Sequence, residues 1–514
     1  MQRQLARLVE AELLYQRGVP PHATYLFKHA LVQETGYESL LKSKRQQYHQ
    51  LIAQALAEQF PQVAETEPEL LAHHYTQAGL KAQAIDYWQR AGQRAIERSA
   101  NAEANAHLTR GLEVLKGLPD APERLQQELE LQTTLGLVLM PIKGYGSSEV
   151  EAVYKRALEL CRRIGKSPHL FSVLRGLWEF YDLRGDIPTA RELAEELLRL
   201  ASSVNDAGLQ VVAHNALGET LVWPGELALA REHLEQGIAL YDPRQHRALA
   251  FRHGGYDSGV VCRSWAAHTL WYLGYPDQAL TRCHEALALA RELSHPHTLI
   301  FALSHAAVLH QSRREAQAAQ DRAEAAIGLA SEQGFAFWVA FTTITRGWAL
   351  AEQGQAEEGI AQIRRGLAGY QAGGAELEVP LWLGLLAGAC GKVGQIEEGL
   401  AALAEGLAVA NKNGTSFYNP ELHRLRGELL LSRTEPDESQ AEFCFHQAID
   451  LARRQQAKSL ELRAATSLGR LWQRQGRRSE AREMLAEAYG WFTEGFDTAD
   501  LKAASALIEK RGVT

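Results

Sequence analysis

Apolar and small residues recur along this chain in steps of three and four, the spacing of one helix face, and the pattern itself repeats. Taking Ala190 as an anchor, equivalent positions are Val150, Ala230, Ala279, Ala319, Gly359, Gly399, Ala441 and Ala481. The intervals from Val150 onward are 40, 40, 49, 40, 40, 40, 42 and 40 residues, which identifies an array. Five residues before the anchor stands Gly185, Gly225, Gly274, Gly354, Gly394 or Gly476. Four after it comes a mostly apolar plug (Tyr154, Leu234, Cys283, Ile363, Leu403, Phe445, Leu485), and seven after it a small residue. Twelve before it another small residue recurs: Gly218, Ala267, Ala307, Gly347, Ala387 or Gly469. Offsets of zero, four and seven share a helix face. Each unit therefore reads as helix, glycine-centred turn, helix, with glycine supplying the left-handed conformation that ends the first helix. A single hairpin cannot bury both its faces, so the units must stack. The expected fold is all-α: a right-handed superhelix with a continuous core.

The set Gly-x4-Ala-x3-(Leu/Phe)-x2-Ala, preceded by Leu217-Gly218-Glu219-Thr220-Leu221 or Leu468-Gly469-Arg470-Leu471-Trp472, resembles the tetratricopeptide repeat. That repeat is usually about 34 residues long, and a longer step would suit HEAT or armadillo repeats. Their patterns lack this small-residue set, so a tetratricopeptide-like solenoid with longer helices or turns is the expectation. An earlier copy stands at Tyr75, Gly79, Ala84, Trp88 and Ala91.

Residues 1–60 lack the repeat. Segment 12–21 reads as a strand and turn, 24–28 as a second strand, and 30–59 as helices. The run from Tyr25 to Leu41, with Arg45 and His49, then Glu69 to Tyr75 and Tyr87 to Gly92, resembles the exit from the winged-helix part of bacterial signal-transduction ATPases fused to adenylate/guanylate cyclases. The likeness continues through the array. It implies cyclase and ATPase domains upstream, with the repeats as sensor or partner-binding arm, and a chain opening inside something larger. The expected organisation is a winged-helix remnant with junction helices at 1–60 and a linker at 61–68. A first repeat with irregular helices follows at 69–139, nine repeats at 140–495 and a capping helix at 496–514.

Composition excludes several functions. Apolar residues make up 46% and charged residues 23%, a globular balance, and no apolar run is long enough to span a membrane. Lys and Arg number 54 against 62 Asp and Glu, for a net charge of −8, which disfavours nucleic acid. The amino terminus lacks an apolar signal core. Five cysteines without a Cys-x-x-Cys pair read as reduced thiols in a cytoplasmic protein. Gly165-Lys166-Ser167 imitates a phosphate-binding loop, but Leu160 occupies the first glycine's place. The His/Cys-rich stretch from Cys262 to His310 has no paired ligand spacing. No catalytic residue, cofactor or metal site is expected, and the chain itself is not read as an enzyme.

Function is expected on the face that first helices present to the concave side. Reading the same offsets along successive repeats gives Arg175, Glu179, Asn215, Glu219, Ser264, His268, Trp271, Ser304, Gln311 and Trp348, a mixed polar and aromatic groove suited to a protein partner or small effector. Truncating His268 or Trp271 is expected to remove only wet surface. The 49-residue interval adds a second candidate, a loop carrying Arg244, His246, Arg247, Arg252, His253 and Tyr256. The leading reading is a noncatalytic sensor or scaffold arm of a signalling ATPase/nucleotidyl cyclase. Its alternatives are the regulatory arm of an ATP-dependent transcription activator and, third, a metal-dependent enzyme built on residues 262–310.

Overall fold

The computed structural model describes residues 2–19, 23–98, 100–165, 167–246 and 255–509. By internal contacts the chain forms two compact units, one of residues 1–98 and 103–124, the other of 99–102 and 125–514.

In the first unit, helix Gln2–Glu10 precedes the antiparallel strands Leu14–Arg17 and Thr24–Phe27, in which Leu14 pairs with Phe27 and Arg17 with Thr24. Helices Ala30–Glu38 and Lys42–Gln59 follow. The linker expected at 61–68 is instead largely the short helix Pro61–Thr66, which begins on a proline, where the missing N–H costs nothing. The early repeat is a true hairpin, Pro68–Ala78 and Lys81–Glu97, turned at Gly79 with φ +77°. Ala84, Trp88 and Ala91 are buried in its core with Leu71 and Tyr75.

The second unit is a stack of helical hairpins. The anchor hairpins run from Pro122–Lys143 with Ser148–Ile164 to Lys458–Arg474 with Arg478–Tyr489, so the Val150 repeat starts well before residue 140. All six anchor-associated glycines adopt positive φ, between +75° and +91°. The plugs sit where the stripe places them: a Cβ on Gly218 would come within 2.7 Å of Leu234, and one on Gly469 within 2.7 Å of Leu485. Tyr154 fills the space between Gly136 and Gly176 in the same way. First helices such as Ser258–Tyr272 and Pro296–Ser312 are buried on almost every side, so they form the inner layer. The second helices keep an exposed face. Ala499–Glu509 closes the array, burying Leu501, Ala504 and Leu507 against the last repeat.

Successive turns of this superhelix touch. The Glu376 and Leu377 N–H groups donate to the Leu183 carbonyl at 2.8 and 3.2 Å. Five repeats separate these partners. One repeat further along, Ser416 and Phe417 N–H donate to the Trp223 carbonyl at 2.8 and 3.1 Å. Next, Ser459 Oγ donates to the Trp271 carbonyl at 2.5 Å, and Arg463 Nη2 to that of Ser312. Each acceptor lies at the C-terminal end of a first helix, where carbonyls lack an intrahelical partner. Small residues allow the approach: a Cβ on Gly146 would lie 2.3 Å from the Gly374 carbonyl oxygen, and one on Gly144 2.4 Å from the Gly373 Cα.

Candidate functional site

Closure along this seam changes the character of the concave face. All ten residues read from the first-helix offsets lie inside, each less than one-tenth exposed. His268 and Trp271 are therefore not wet groove side chains. His268 pairs with His305 at 3.2 Å, and the Arg463 guanidinium of the next turn lies 4.8 Å from the centre of the Trp271 ring. Ser304 is fully buried and returns its hydroxyl to the Ile300 carbonyl, a satisfied helix contact.

Two spaces among the described residues take their lining from this face. The larger, about 190 Å³, contains Gln311 and Trp348. Side chains from successive first helices, a hairpin turn and the capping helix meet there, among them Arg314, Lys392, Arg424, Arg463, Arg470 and Asp500. Arg424 grips Glu421 through two bonds of 2.7 and 2.8 Å. Burial pushes the Glu421 carboxyl up, but the Arg424 guanidinium outweighs it and holds the pKa down at about 2. Arg463 bonds Asp500 at 2.7 Å, and Arg314 reaches the same carboxylate at 3.4 Å. Five cationic side chains face three carboxylates (Glu352, Glu421, Asp500) in this lining. Arg314 holds φ +63° at the turn position where six other repeats have glycine, a conformation that costs an ordinary residue about 1–2 kcal/mol.

The smaller space, about 30 Å³, lies among Glu179, Glu219 and Glu378 and is walled by aromatic rings. Arg175 donates to Glu179 at 2.7 Å and sits 4.3 Å from the Trp178 ring centre. Asn215 reaches Glu219 at 3.5 Å, while Asp182 accepts from Thr220 and Trp223, both at 3.3 Å. Burial pushes Asp182 and Glu378 up to about 8 and Glu219 well above the carboxylate range. Tyr256, from the long interval, enters this chamber and donates to Glu179. The repeat offsets carry no sign that this residue of the long interval turns inward. Of its companions, Arg244 is exposed and His246 buried, its Nδ1 accepting from the Asp242 N–H at 3.0 Å. Arg247, Arg252 and His253 lie outside the described residues.

Several histidines of 262–310 have partners of other kinds. His297 meets Tyr145 and Trp338, each at 3.0 Å, and His310 meets Glu315 at 2.6 Å. Among the described residues no three His, Cys, Asp or Glu side chains are grouped to hold a metal. Among them, too, no helix is long and apolar enough to cross a membrane.

No family model matches the chain. An uncharacterized protein of Rhizobium meliloti (strain 1021) is 25% identical over 472 residues, which is 90% of this chain and 45% of that protein. The chain thus spans about half the length of the curated relative it matches. Among solved structures, a Rap protein complexed with Competence and Sporulation Factor superposes with a TM-score of 0.52 at 13% identity, covering 72% of this chain and 98% of Rap. The Cut9–Hcn1 hetero-tetramer of the APC/C gives 0.50 at 14% identity, covering 91% and 95%. These neighbours share its architecture, and the chain is a tetratricopeptide-like helical-repeat solenoid.

Proposed function

We propose that this chain is a noncatalytic binding arm, a sensor or scaffold that holds a protein segment or small effector inside the superhelix. It would serve the ATPase or nucleotidyl cyclase domains of a bacterial signalling protein. One observation carries the binding role: the 190 Å³ space takes its lining from both sides of the seam, with Gln311 and Arg314 from one turn and Arg463 and Asp500 from the next. A ligand seated there touches two elements whose separation defines closed and open superhelices. It therefore binds the two states differently, the condition for shifting their balance. Rap, a neighbour in fold, is seen complexed with Competence and Sporulation Factor, which fits this use of the architecture. The N-terminal helix, two-stranded ribbon and helices, with the motifs from Tyr25 to Leu41, support the ATPase context.

The test has two parts. The chain alone should neither hydrolyse ATP nor make a cyclic nucleotide. Upstream of Met1 an in-frame Gly-x4-Gly-Lys-Ser/Thr loop is expected, and ATP turnover by that longer protein should change when Gly388→Leu fills the larger space. A frame without the loop, or unchanged turnover, contradicts the ATPase assignment.

A further inference from the structure

The smaller chamber is unusual in its charge. Four carboxylates (Glu179, Asp182, Glu219, Glu378) are buried around it or directly behind it, and Arg175 is the cation bonded among them. That guanidinium is committed to Glu179. Buried carboxyl groups without a counter-charge hold their protons, and a cation entering beside them would let them ionise. Satisfaction is also incomplete on the neutral side. Asn215, fully buried with its amide nitrogen on Glu219, leaves Oδ1 without a partner among the described residues, and Trp265 Nε1 at the chamber wall has none among them either. The walls are the rings of Tyr145, Trp223, Tyr256, Trp265, Phe301 and Trp338. Aromatic faces attract cations, and an organic ammonium costs far less to strip of water than a small metal ion. A calcium or magnesium ion would instead need six or more oxygen ligands at close range.

Size narrows the class. One water needs about 10–15 Å³ of such space, so 30 Å³ admits two water-sized groups, the dimensions of a methylammonium head. We infer that this chamber binds the ammonium head of a small organic amine, held by Glu219 and Glu378 and enclosed by the aromatic walls. The inference rests on the reading of the superhelix interior as ligand-binding space, and it concerns a chamber separate from the Gly388 cavity.

The experiment titrates the full chain at about pH 8 with methylammonium chloride, following fluorescence of the chamber tryptophans, with sodium chloride at equal ionic strength as the comparison. Saturable quenching by methylammonium and none by sodium is expected. Glu219→Gln and Glu378→Gln, which preserve shape, should each weaken binding at least tenfold while the fold, followed by circular dichroism, persists. Should either variant fail to fold, Trp265→Phe gives the second reading and is expected to alter the quenching amplitude. Equal responses to sodium and methylammonium, or undiminished binding by both Gln variants, would overturn the inference. A failed titration alongside a Gly388→Leu effect on turnover would remove the amine and leave the binding arm standing. The reverse pair of results would remove the signalling role and keep the amine.

Discussion

Side chains at two neighbouring glycines separate packing from binding. A Cβ on Gly388 meets only Leu425, at 4.0 Å, whereas one on Gly384 comes within 2.8 Å of Tyr418. Both glycines line the larger space. Gly388→Leu should therefore keep or raise stability, since leucine favours the helix by close to 1 kcal/mol over glycine, while blocking any ligand. Gly384→Leu should lose about 1–3 kcal/mol through overpacking. Paired denaturation and binding measurements check both. Arg314→Gly is the complementary change: relief of its left-handed conformation should stabilise by about 1 kcal/mol, net of a half-exposed ion pair that contributes little, and ligand affinity should fall. Trp271 belongs to packing as well. Its near-complete burial means Trp271→Ala should cost about 3–5 kcal/mol.

Single helices carry the pH response. Asp182 and Glu378 keep their protons up to about pH 8 in the fold, against ordinary values of 3.8 and 4.5. Across that window the native state binds more protons than the unfolded chain, so their contribution to stability falls as pH rises. His214 and His268, lowered by burial to about 4, and His297, lowered to about 3, act in the opposite sense. They favour the fold increasingly from about pH 4 to 6.5. Above 6.5 these histidines are neutral in both states and the carboxylates prevail. The melting temperature should drop between about pH 6.5 and 8.5, and Glu378→Gln should flatten that drop. A melting temperature constant or rising over this interval would place those carboxylates in contact with solvent. Helix boundaries were legible in the sequence because glycine, plug and small residue repeat at fixed offsets, each with a local job. The inward course of Tyr256 was not, because it follows from the 49-residue interval, for which the array offers no second copy to compare.

At the scale of the whole molecule, the array was legible and its closure was not. Repeat offsets named the inner-face residues Glu179, Glu219, Gln311 and Trp348, and the fold gathers them around interior spaces. Enclosure, however, depends on a small rotation per repeat accumulated over five hairpins. Several of the contacts that result are made by backbone amides, carbonyls and glycine Cα atoms, which leave no side-chain signature. Gly146→Leu should test their weight, because its side chain would meet the Gly374 backbone and force the turns apart without touching a hairpin core. Amide hydrogen exchange addresses the closed superhelix most directly. The N–H groups of Glu376, Leu377, Ser416 and Phe417 lie in turns, where exchange is ordinarily fast, yet each is bonded to a carbonyl five repeats away. Protection at all four, lost at Glu376 and Leu377 in Gly146→Leu, is the predicted result. Exchange of these amides at the rate of open turns in the native chain would contradict the closed superhelix.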